Sequence, residues 1–264
     1  NQGLTVGLGS PDLKPEKSTN YELGAIYDNL DGFSVSATAF FTQFRDRIAN
    51  GDDLPNCQYI DSDGNQPFAN AANCLSVGNF TFQDSFGQSV NVDRAETRGI
   101  ELTSRYQFAP AWTISGGYTY TDTEITSGAN EGQALTNVPK HKLTAYLNWA
   151  INDRWNTALE GEYYASRERF SGNVTGSSAA LVDQLGNHLD GYALFNLRSS
   201  YQFSDNVRLT GTVYNLFDKD FSTYDTYEYD GDNYVAYRYT DTYRATNGVA
   251  LDGRSLWVSA TYDF

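Results

Sequence analysis

The chain has 264 residues, a net charge of −15 at pH 7, 15% aromatic residues and a mean hydropathy of −0.53. The acidic balance argues against nucleic acid as a partner, because phosphate groups require lysine and arginine. No apolar run approaches the length of about 18 residues that a transmembrane helix needs. Abundant aromatic residues in a polar chain are instead typical of a β-barrel that is apolar only in an outer band.

Alternation of apolar and polar residues predicts about nine β-strands along the chain. Turns of about two to four residues and loops of about ten to forty residues alternate between these strands, an arrangement typical of outer-membrane barrels. The predicted strands are residues 21–27, 33–48, 95–108, 112–121, 142–149, 155–163, 193–203, 207–213 and 254–264.

The first long loop, residues 51–90, contains Cys57 and Cys74, the only two cysteines of the chain. Two cysteines close together in a polar loop favour a disulfide formed in an oxidising compartment. Two free thiols are the alternative. Later loops are predicted at residues 127–137, 171–190 and 222–253.

The two faces of the predicted strands differ in the same way throughout the chain. One face carries Leu, Val, Ala and aromatic residues, and the other carries Ser, Thr, Asn, Glu and Arg. Trp112, Trp149 and Trp155 all fall on the apolar face close to short turns, which predicts an aromatic girdle at a membrane boundary. A soluble β-sandwich with its polar face in water remains the alternative.

The last strand ends at Phe264 with no polar tail, which is typical of the strand that closes a lipid-facing barrel. An odd strand count puts the first residue on the long-loop side, and a barrel cannot close from these strands alone. Methionine is absent, even from position 1. We therefore expect residues 1–264 to be the C-terminal part of a larger transmembrane antiparallel β-barrel.

Five short segments occur in a fixed order along the chain. They are P-D-L-K-P-E with Y-E-L-G (11–16 and 21–24), R-G-I-E-L (98–102), N-V-P-K-H-K-L (137–143), N-L-F-D-K (215–219), and G-R before the strand that ends in phenylalanine (253–264). Together they resemble TonB-dependent outer-membrane receptors. The positions that carry this resemblance, and to which it gives structural roles, are Pro11, Glu22, Gly99, Glu101, Pro139, Asn215, Phe217, Asp218, Gly253 and Phe264.

The resemblance implies an active transporter for scarce, bulky nutrients, most often ferric siderophores, and not an enzyme. Such receptors have a plugged barrel of about 22 strands. We expect the plug domain, the TonB box and the N-terminal strands to lie outside this sequence. The implied location is the bacterial outer membrane, with long loops extracellular and the C-terminus periplasmic. The implied partners are the TonB complex, reached through the missing N-terminal region, and outer-membrane lipid and lipopolysaccharide.

The loop at residues 222–253 is the predicted ligand site, because aromatic rings and guanidinium groups suit an anionic aromatic ligand such as a ferric catecholate. The candidate residues are Tyr227, Tyr229, Tyr234, Tyr237, Arg238, Tyr239 and Arg244. Tyrosines that merely extend the strands above the membrane are the alternative. Acidic residues in the same loop oppose an anion and offer oxygen ligands for Ca²⁺ instead; they are Asp225, Glu228, Asp230, Asp232 and Asp241.

Other assignments remain open at this stage. Asp61, Asp63 and Asn65 form a second weak Ca²⁺ candidate, and His188 is a candidate ligand for haem iron. Haem, cobalamin and oligosaccharide are alternative substrates, and a passive porin or a surface adhesin is an alternative class of barrel. No catalytic triad or paired-carboxylate arrangement is present in the sequence pattern, so we predict no enzyme activity and no other cofactor or metal site.

Overall fold

The computed structural model describes residues 12–50, 54–77, 80–87, 89–92, 94–128, 130–172, 176–221, 227–229, 234–236 and 253–264. The chain forms two compact units. The first contains residues 1–19, 43–95 and 126–128, and the second contains residues 20–42, 96–125 and 129–264.

Nearly all of the regular structure is β-strand. In chain order the elements are β1 (Lys17–Asp28), β2 (Phe33–Arg45), β3 (Arg47–Asn50), β4 (Leu54–Pro55), β5 (Ser85–Phe86), β6 (Ser89–Val92), β7 (Ala95–Ala109), β8 (Trp112–Ile125), β9 (His141–Asn152), β10 (Trp155–Tyr164), β11 (Arg167–Glu168), α1 (Gly176–Leu185), β12 (His188–Leu189), β13 (Tyr192–Ser204), β14 (Val207–Tyr214), β15 (Tyr227–Tyr229), β16 (Tyr234–Ala236) and β17 (Ser255–Tyr262).

Nine of these strands form one antiparallel sheet, in the order β1-β2-β7-β8-β9-β10-β13-β14-β17. The prediction of nine strands is confirmed. Strands that neighbour each other in the sheet also follow each other along the chain. Short turns therefore lie at one end of the sheet, the short-turn end, and long loops lie at the other, the long-loop end.

The second strand is shorter than the sequence predicts. Asp46 has a positive φ of 54°, a conformation that L-residues with a side chain seldom adopt within a strand. Strand β2 therefore ends at Arg45. The residues that follow form β3, which pairs with β6 in a separate two-stranded sheet.

The predicted separation into an apolar and a polar face is confirmed by the strand register. On the apolar face Leu147 pairs with Ile114 and Leu159, and Leu159 also pairs with Leu197. On the polar face Glu160 pairs with Tyr146 on one side and with Asn196 on the other. Apolar side chains on the sheet stay exposed, as at Leu256 with 71% exposure, so the apolar face has no protein layer over it in the described part of the chain.

Aromatic rings follow the apolar face at the short-turn end. Trp112 and Trp149 pair across β8 and β9, and their rings stack with centroids 4.9 Å apart. Trp155 contacts Tyr201 at 6.2 Å on the next pair of strands. Stacked rings of this kind fix the side-chain geometry of the belt, and the tryptophans lie at the end where the sequence predicts them.

The predicted loops contain regular structure of their own. Helix α1 and strand β12 lie within the loop predicted at residues 171–190, and β11, which pairs with β12, lies just before it. The β15–β16 hairpin lies within residues 222–253. The described helix is not one that can cross a membrane, being neither long nor apolar enough.

The first unit is a loop structure organised by one disulfide and one buried amide. Cys57 and Cys74 form a disulfide with Cα atoms 5.1 Å apart. Asn56 is fully buried, and its amide nitrogen donates hydrogen bonds to the carbonyl oxygens of Phe80 and Gln83. These contacts tie the two sides of the loop together.

Candidate ligand site at the long-loop end

Two tyrosines mark the long-loop end of the polar face. Tyr164 ends β10 and pairs in register with Tyr192, the first residue of β13. Their rings stack with centroids 5.1 Å apart, and Tyr192 in turn contacts Phe221 at 5.1 Å. Tyr192 and Phe221 are both buried, so the three rings form a packed aromatic column.

Two cations lie over the rings of this column. The Lys142 Nζ atom lies 5.0 Å from the centroid of Tyr164, and the Arg167 guanidinium carbon lies 5.9 Å from the centroid of Tyr192. Both distances suit cation–π attraction. Arg167 is buried, and burial lowers the pKa of its guanidinium from the ordinary value. We call Lys142, Tyr164, Arg167, Tyr192 and Phe221 the aromatic–cation cluster.

A cavity of about 410 Å³ adjoins this cluster. Arg169 and Lys219 supply positive charge to its wall, and Tyr192 and Phe221 supply aromatic surface. His188 also lines the cavity, and its Nδ1 atom lies 3.3 Å from a carboxylate oxygen of Glu168. The remaining lining residues are Leu185, Leu189, Asp190, Gly191 and Asp220. A volume of this order suits a small organic ligand.

The residues predicted from the sequence as ligand contacts are only partly described. Tyr229 pairs with Tyr234, and Tyr227 pairs with Ala236, in the β15–β16 hairpin. Strand β16 lies against helix α1. The other four predicted positions, Tyr237, Arg238, Tyr239 and Arg244, lie outside the described residues. The role of all seven residues as ligand contacts stays a prediction.

The aromatic–cation cluster is not apparent from the sequence alone. Its members come from β9, β10, β11, β13 and the segment after β14, so no local motif brings them together. Two local signals were present: the Tyr163-Tyr164 pair at a strand end and the R-E-R sequence at residues 167–169. The register of β10 against β13 was the missing information.

The N-L-F-D-K segment has a structural role in the described chain. Asn215 is buried with φ 47°; its Oδ1 accepts from Lys219 N at 2.8 Å, and its Nδ2 donates to Lys219 O at 3.0 Å. The Asp218 carboxylate accepts from Arg254 N at 2.9 Å. The Phe217 ring meets Phe195 edge-on at 5.3 Å. The segment therefore closes a tight turn after β14 and anchors the start of β17.

Gly99 lies where two other groups leave no room for a side chain. A Cβ atom at this position would collide with the carbonyl oxygen of Tyr120 and would lie 2.6 Å from the Phe40 ring. Its partner in the R-G-I-E-L segment, Glu101, lies on the polar face of β7. A glycine is therefore required by packing at this position.

The other motif positions that the structure describes lie on strands or next to strand ends. Glu22 accepts a hydrogen bond from Asn20 on β1, Pro139 precedes β9, Gly253 precedes β17, and the Phe264 ring contacts Tyr262 at 5.0 Å. Pro11 lies outside the described residues.

The two calcium candidates differ in how far the structure describes them. Asp61 accepts backbone hydrogen bonds from Asn65 at 2.8 Å and Asp63 at 3.0 Å. These bonds, that from Asn65 first, hold the pKa of the Asp61 carboxyl below its ordinary value. Across the described part of the chain, no three His, Cys, Asp or Glu side chains come together as a metal site. The acidic candidates at residues 225, 230, 232 and 241 lie outside it.

The fold and its polar site define one wall of an antiparallel membrane barrel with ligand-sized space at the loop end. Residues 1–216 match the family described as TonB dependent receptor-like, beta-barrel. This match spans most of the chain, so the chain belongs to that family, as the five sequence segments indicate. The family is one of receptors and not of enzymes.

Two known proteins, one of them also as a solved structure, are similar to this chain. The iron-regulated outer membrane virulence protein of Vibrio cholerae serotype O1 is 28% identical over 256 residues, covering 97% of this chain and 32% of that protein. The ferric enterobactin receptor of Pseudomonas aeruginosa is 29% identical over 217 residues, covering 80% and 26%. The structure of that receptor with enterobactin matches with a TM-score of 0.67 at 25% identity, covering 96% and 32%.

A copper transporter, OprC, matches in fold alone, with a TM-score of 0.63 and 19% identity over 96% of this chain and 32% of that one. The fold therefore accommodates different cargoes and does not by itself identify one. The chain spans about a third of the length of the Vibrio cholerae protein and of the enterobactin-bound receptor.

Proposed function

We propose that this chain forms the C-terminal part of the barrel of an outer-membrane TonB-dependent transporter for a ferric siderophore of the catecholate class. Names of the relatives support an outer-membrane location and iron uptake. The proposal includes long loops on the extracellular side, a periplasmic C-terminus, contact with the TonB complex through other parts of the parent protein, and outer-membrane lipid around the apolar face.

One observation carries the catecholate assignment: the aromatic–cation cluster lies on the polar face at the long-loop end. A ferric catecholate combines flat aromatic rings with negative charge. Rings such as Tyr164 offer faces for stacking, and Lys142, Arg169 and Lys219 offer positive charge. Both kinds of contact strengthen where water is displaced. The proposal assigns the remaining ligand contacts to residues 222–253, as the sequence predicts.

Ligand binding by the full-length parent tests this proposal through quenching of tryptophan fluorescence. The panel is ferric catecholate, ferric hydroxamate, haem and cobalamin. We expect submicromolar binding of the catecholate, and loss of that binding when residues 222–253 are deleted. Quenching by none of the four would overturn the siderophore assignment, and quenching only by the hydroxamate would overturn the catecholate class.

A matched pair of variants tests whether the cluster contacts the ligand. Tyr164→Leu removes a ring from the polar face, whereas Tyr163→Leu removes one from the apolar face of the same strand. We expect Tyr164→Leu, like Lys142→Gln, to weaken catecholate binding about 3- to 30-fold, the size of one or two lost aromatic or cation–π contacts. Tyr163→Leu is expected to leave the affinity unchanged. Equal effects of the two tyrosine variants would refute a contact at the cluster.

A further inference from the structure

The segment between β11 and β12 is closed by one asparagine side chain. The Asn187 Nδ2 atom donates to Glu168 Oε2 at 2.9 Å and to the Phe170 carbonyl oxygen at 3.0 Å. Its Oδ1 atom accepts from Phe170 N at 2.9 Å, and its backbone oxygen accepts from Arg169 N at 2.7 Å. Asn187 therefore fixes both the backbone after β11 and the carboxylate of Glu168.

These bonds lie behind the wall of the cavity at the aromatic–cation cluster. Arg169 and His188 line that cavity, and each is next in sequence to one of the bonded residues, Glu168 or Asn187. Of the described residues that form the lining, neither is Glu168 or Asn187. Arg169 is buried, and its Nε atom donates to the Gly186 carbonyl oxygen at 3.2 Å. Asn187 therefore supports the charged wall without lining the cavity itself.

The Glu168 carboxylate is held away from this cavity by a contact at each of its two oxygens. Oε2 accepts from the Asn187 amide, and Oε1 lies 3.3 Å from His188 Nδ1. Glu168 is next in sequence to Arg169, which supplies positive charge to the cavity. A carboxylate released from Asn187 is attracted to that charge and competes there with an anionic ligand. Asn187 therefore keeps a competing negative charge out of the wall.

We propose that Asn187 is a positioning residue that sets the preference of the cavity for an anionic ligand. It holds Arg169 in the wall and Glu168 outside it. This role rests on the proposed function, because the anion concerned is the ferric catecholate of the aromatic–cation cluster. Asparagine suits the role because its amide both accepts from a backbone N–H group and donates to a carboxylate. An ionised aspartate only accepts, and a leucine of similar shape does neither.

Charge selectivity in the full-length parent tests the proposal. The probe is a tris-catecholate siderophore loaded with iron(III) or with titanium(IV), because the iron complex has one more negative charge at nearly the same size. We expect the wild-type protein to prefer the iron complex. Asn187→Leu should lower that preference about 2- to 10-fold, the effect of one misplaced charge about 10 Å from the ligand. Equal weakening of both complexes, or no weakening of either, overturns the proposal, because a purely structural role does not distinguish their charges.

A change of pH separates the role of the Asn187 amide from general damage to the loop. In Asn187→Asp the ionised carboxylate repels Glu168, whereas the protonated form again donates a hydrogen bond to it. Relative to wild type, we expect Asn187→Asp to bind the iron complex about tenfold more weakly at about pH 8, and to recover most of this loss at about pH 5.5. Glu168, Arg169 and His188 are present in both proteins, so the ratio removes the effect of their own titration. A ratio that stays the same at both pH values contradicts the proposal.

The matched control is Asn20→Asp. Asn20 on β1 also donates from its amide to a carboxylate, that of Glu22 at 2.6 Å, and neither residue lines the cavity. This variant should keep the charge preference of the wild type at both pH values. Should Asn187→Leu not assemble, Asn187→Asp at the two pH values decides the outcome. A parent that binds no catecholate overturns the proposed function, whereas wild-type behaviour of both Asn187 variants in a parent that binds it overturns the positioning role alone.

Discussion

Packing around position 99 leaves room only for glycine. The hydrogen at its α-carbon faces the Tyr120 carbonyl group and the Phe40 ring, and neither has space for a methyl group. Phe40 belongs to β2 and Tyr120 to β8, the two strands on either side of β7 in the sheet. The residue therefore allows three strands to approach at one point on the polar face.

Replacing Gly99 with alanine is expected to destabilise the folded parent by about 1–3 kcal/mol, as overpacking in a tight site does. The measurement is the shift in the thermal unfolding midpoint, followed by circular dichroism in detergent. Gly211→Ala is the matched control, because a Cβ atom at Gly211 meets nothing within 4 Å. Equal shifts for the two variants would show that the close approach at Gly99 does not exist.

The Asp61 carboxylate makes the stability of its turn depend on pH. Its folded-state pKa is below the ordinary value of 3.8, chiefly because Asn65 N–H donates to the carboxylate. A lowered pKa means that the charged form stabilises the folded loop. The contribution is fully present above the unfolded pKa and is lost as pH falls through the folded pKa.

We therefore expect the turn at residues 61–65 to be ordered at pH 6 and to loosen below about pH 4. The amide chemical shift of Asn65, followed by NMR between pH 6 and pH 2.5, reports the change. In Asp61→Asn the side chain at position 61 does not titrate, so the pH dependence of this shift should be largely lost. A pH profile that is the same in both proteins would exclude Asp61 as the cause.

At the scale of the element, the disulfide is expected to hold the first unit together independently of the sheet. Cys57 and Cys74 are 17 residues apart, and a crosslink of about that loop length restricts the unfolded chain by about 3 kcal/mol. The double variant to serine should make residues 51–90 sensitive to limited proteolysis. The sheet should keep its circular dichroism spectrum, because its strands share no residue with the crosslinked loop. Loss of the sheet signal as well would contradict this independence.

Strand positions were predictable because each strand of the sheet exposes two chemically different faces, and a period of two is a strong signal. Leu147 and Tyr146 are assigned to opposite faces by the sequence alone, and the register confirms both. The end of β2 was not predictable, because Asp46 leaves the strand conformation without a proline or a glycine to signal it. Strands β11 and β12 lie on either side of α1 in the chain and pair with each other. No short sequence pattern predicts this pairing, because the two strands are separated by the helix.

The candidate site was harder to predict than the strands, because it depends on contacts between residues that are distant along the chain. The sequence predicts the ligand site in the tyrosine-rich loop at residues 222–253, because the candidate residues are close together along the chain. The aromatic–cation cluster combines residues from separate strands, and it becomes visible only when the register is known. Lys142 and Phe221 are far apart along the chain yet belong to one cluster.

For the whole molecule, the proposed place in the outer membrane predicts that lipid covers the exposed apolar face. Ala145 tests this because it lies in the middle of β9 on the apolar face, paired with Gly116 and Gly161. Its neighbour Thr144 lies on the polar face, paired with Gly117 and Glu162. The two residues share a strand and a depth, so the same substitution at each compares the two faces directly.

Ala145→Arg is expected to cost about 2–4 kcal/mol, the penalty for arginine near the middle of a lipid-facing barrel wall. Thr144→Arg should cost much less, because the new charge lies beside Glu162 on the polar face. Both variants are scored in the parent protein by the folded fraction in outer membranes, using the difference in gel mobility between heated and unheated samples. If Thr144→Arg were the more damaging variant, the polar face and not the apolar face would lie against lipid. The lumen would then be apolar, and the aromatic–cation cluster would be on the wrong side of the wall for its proposed role.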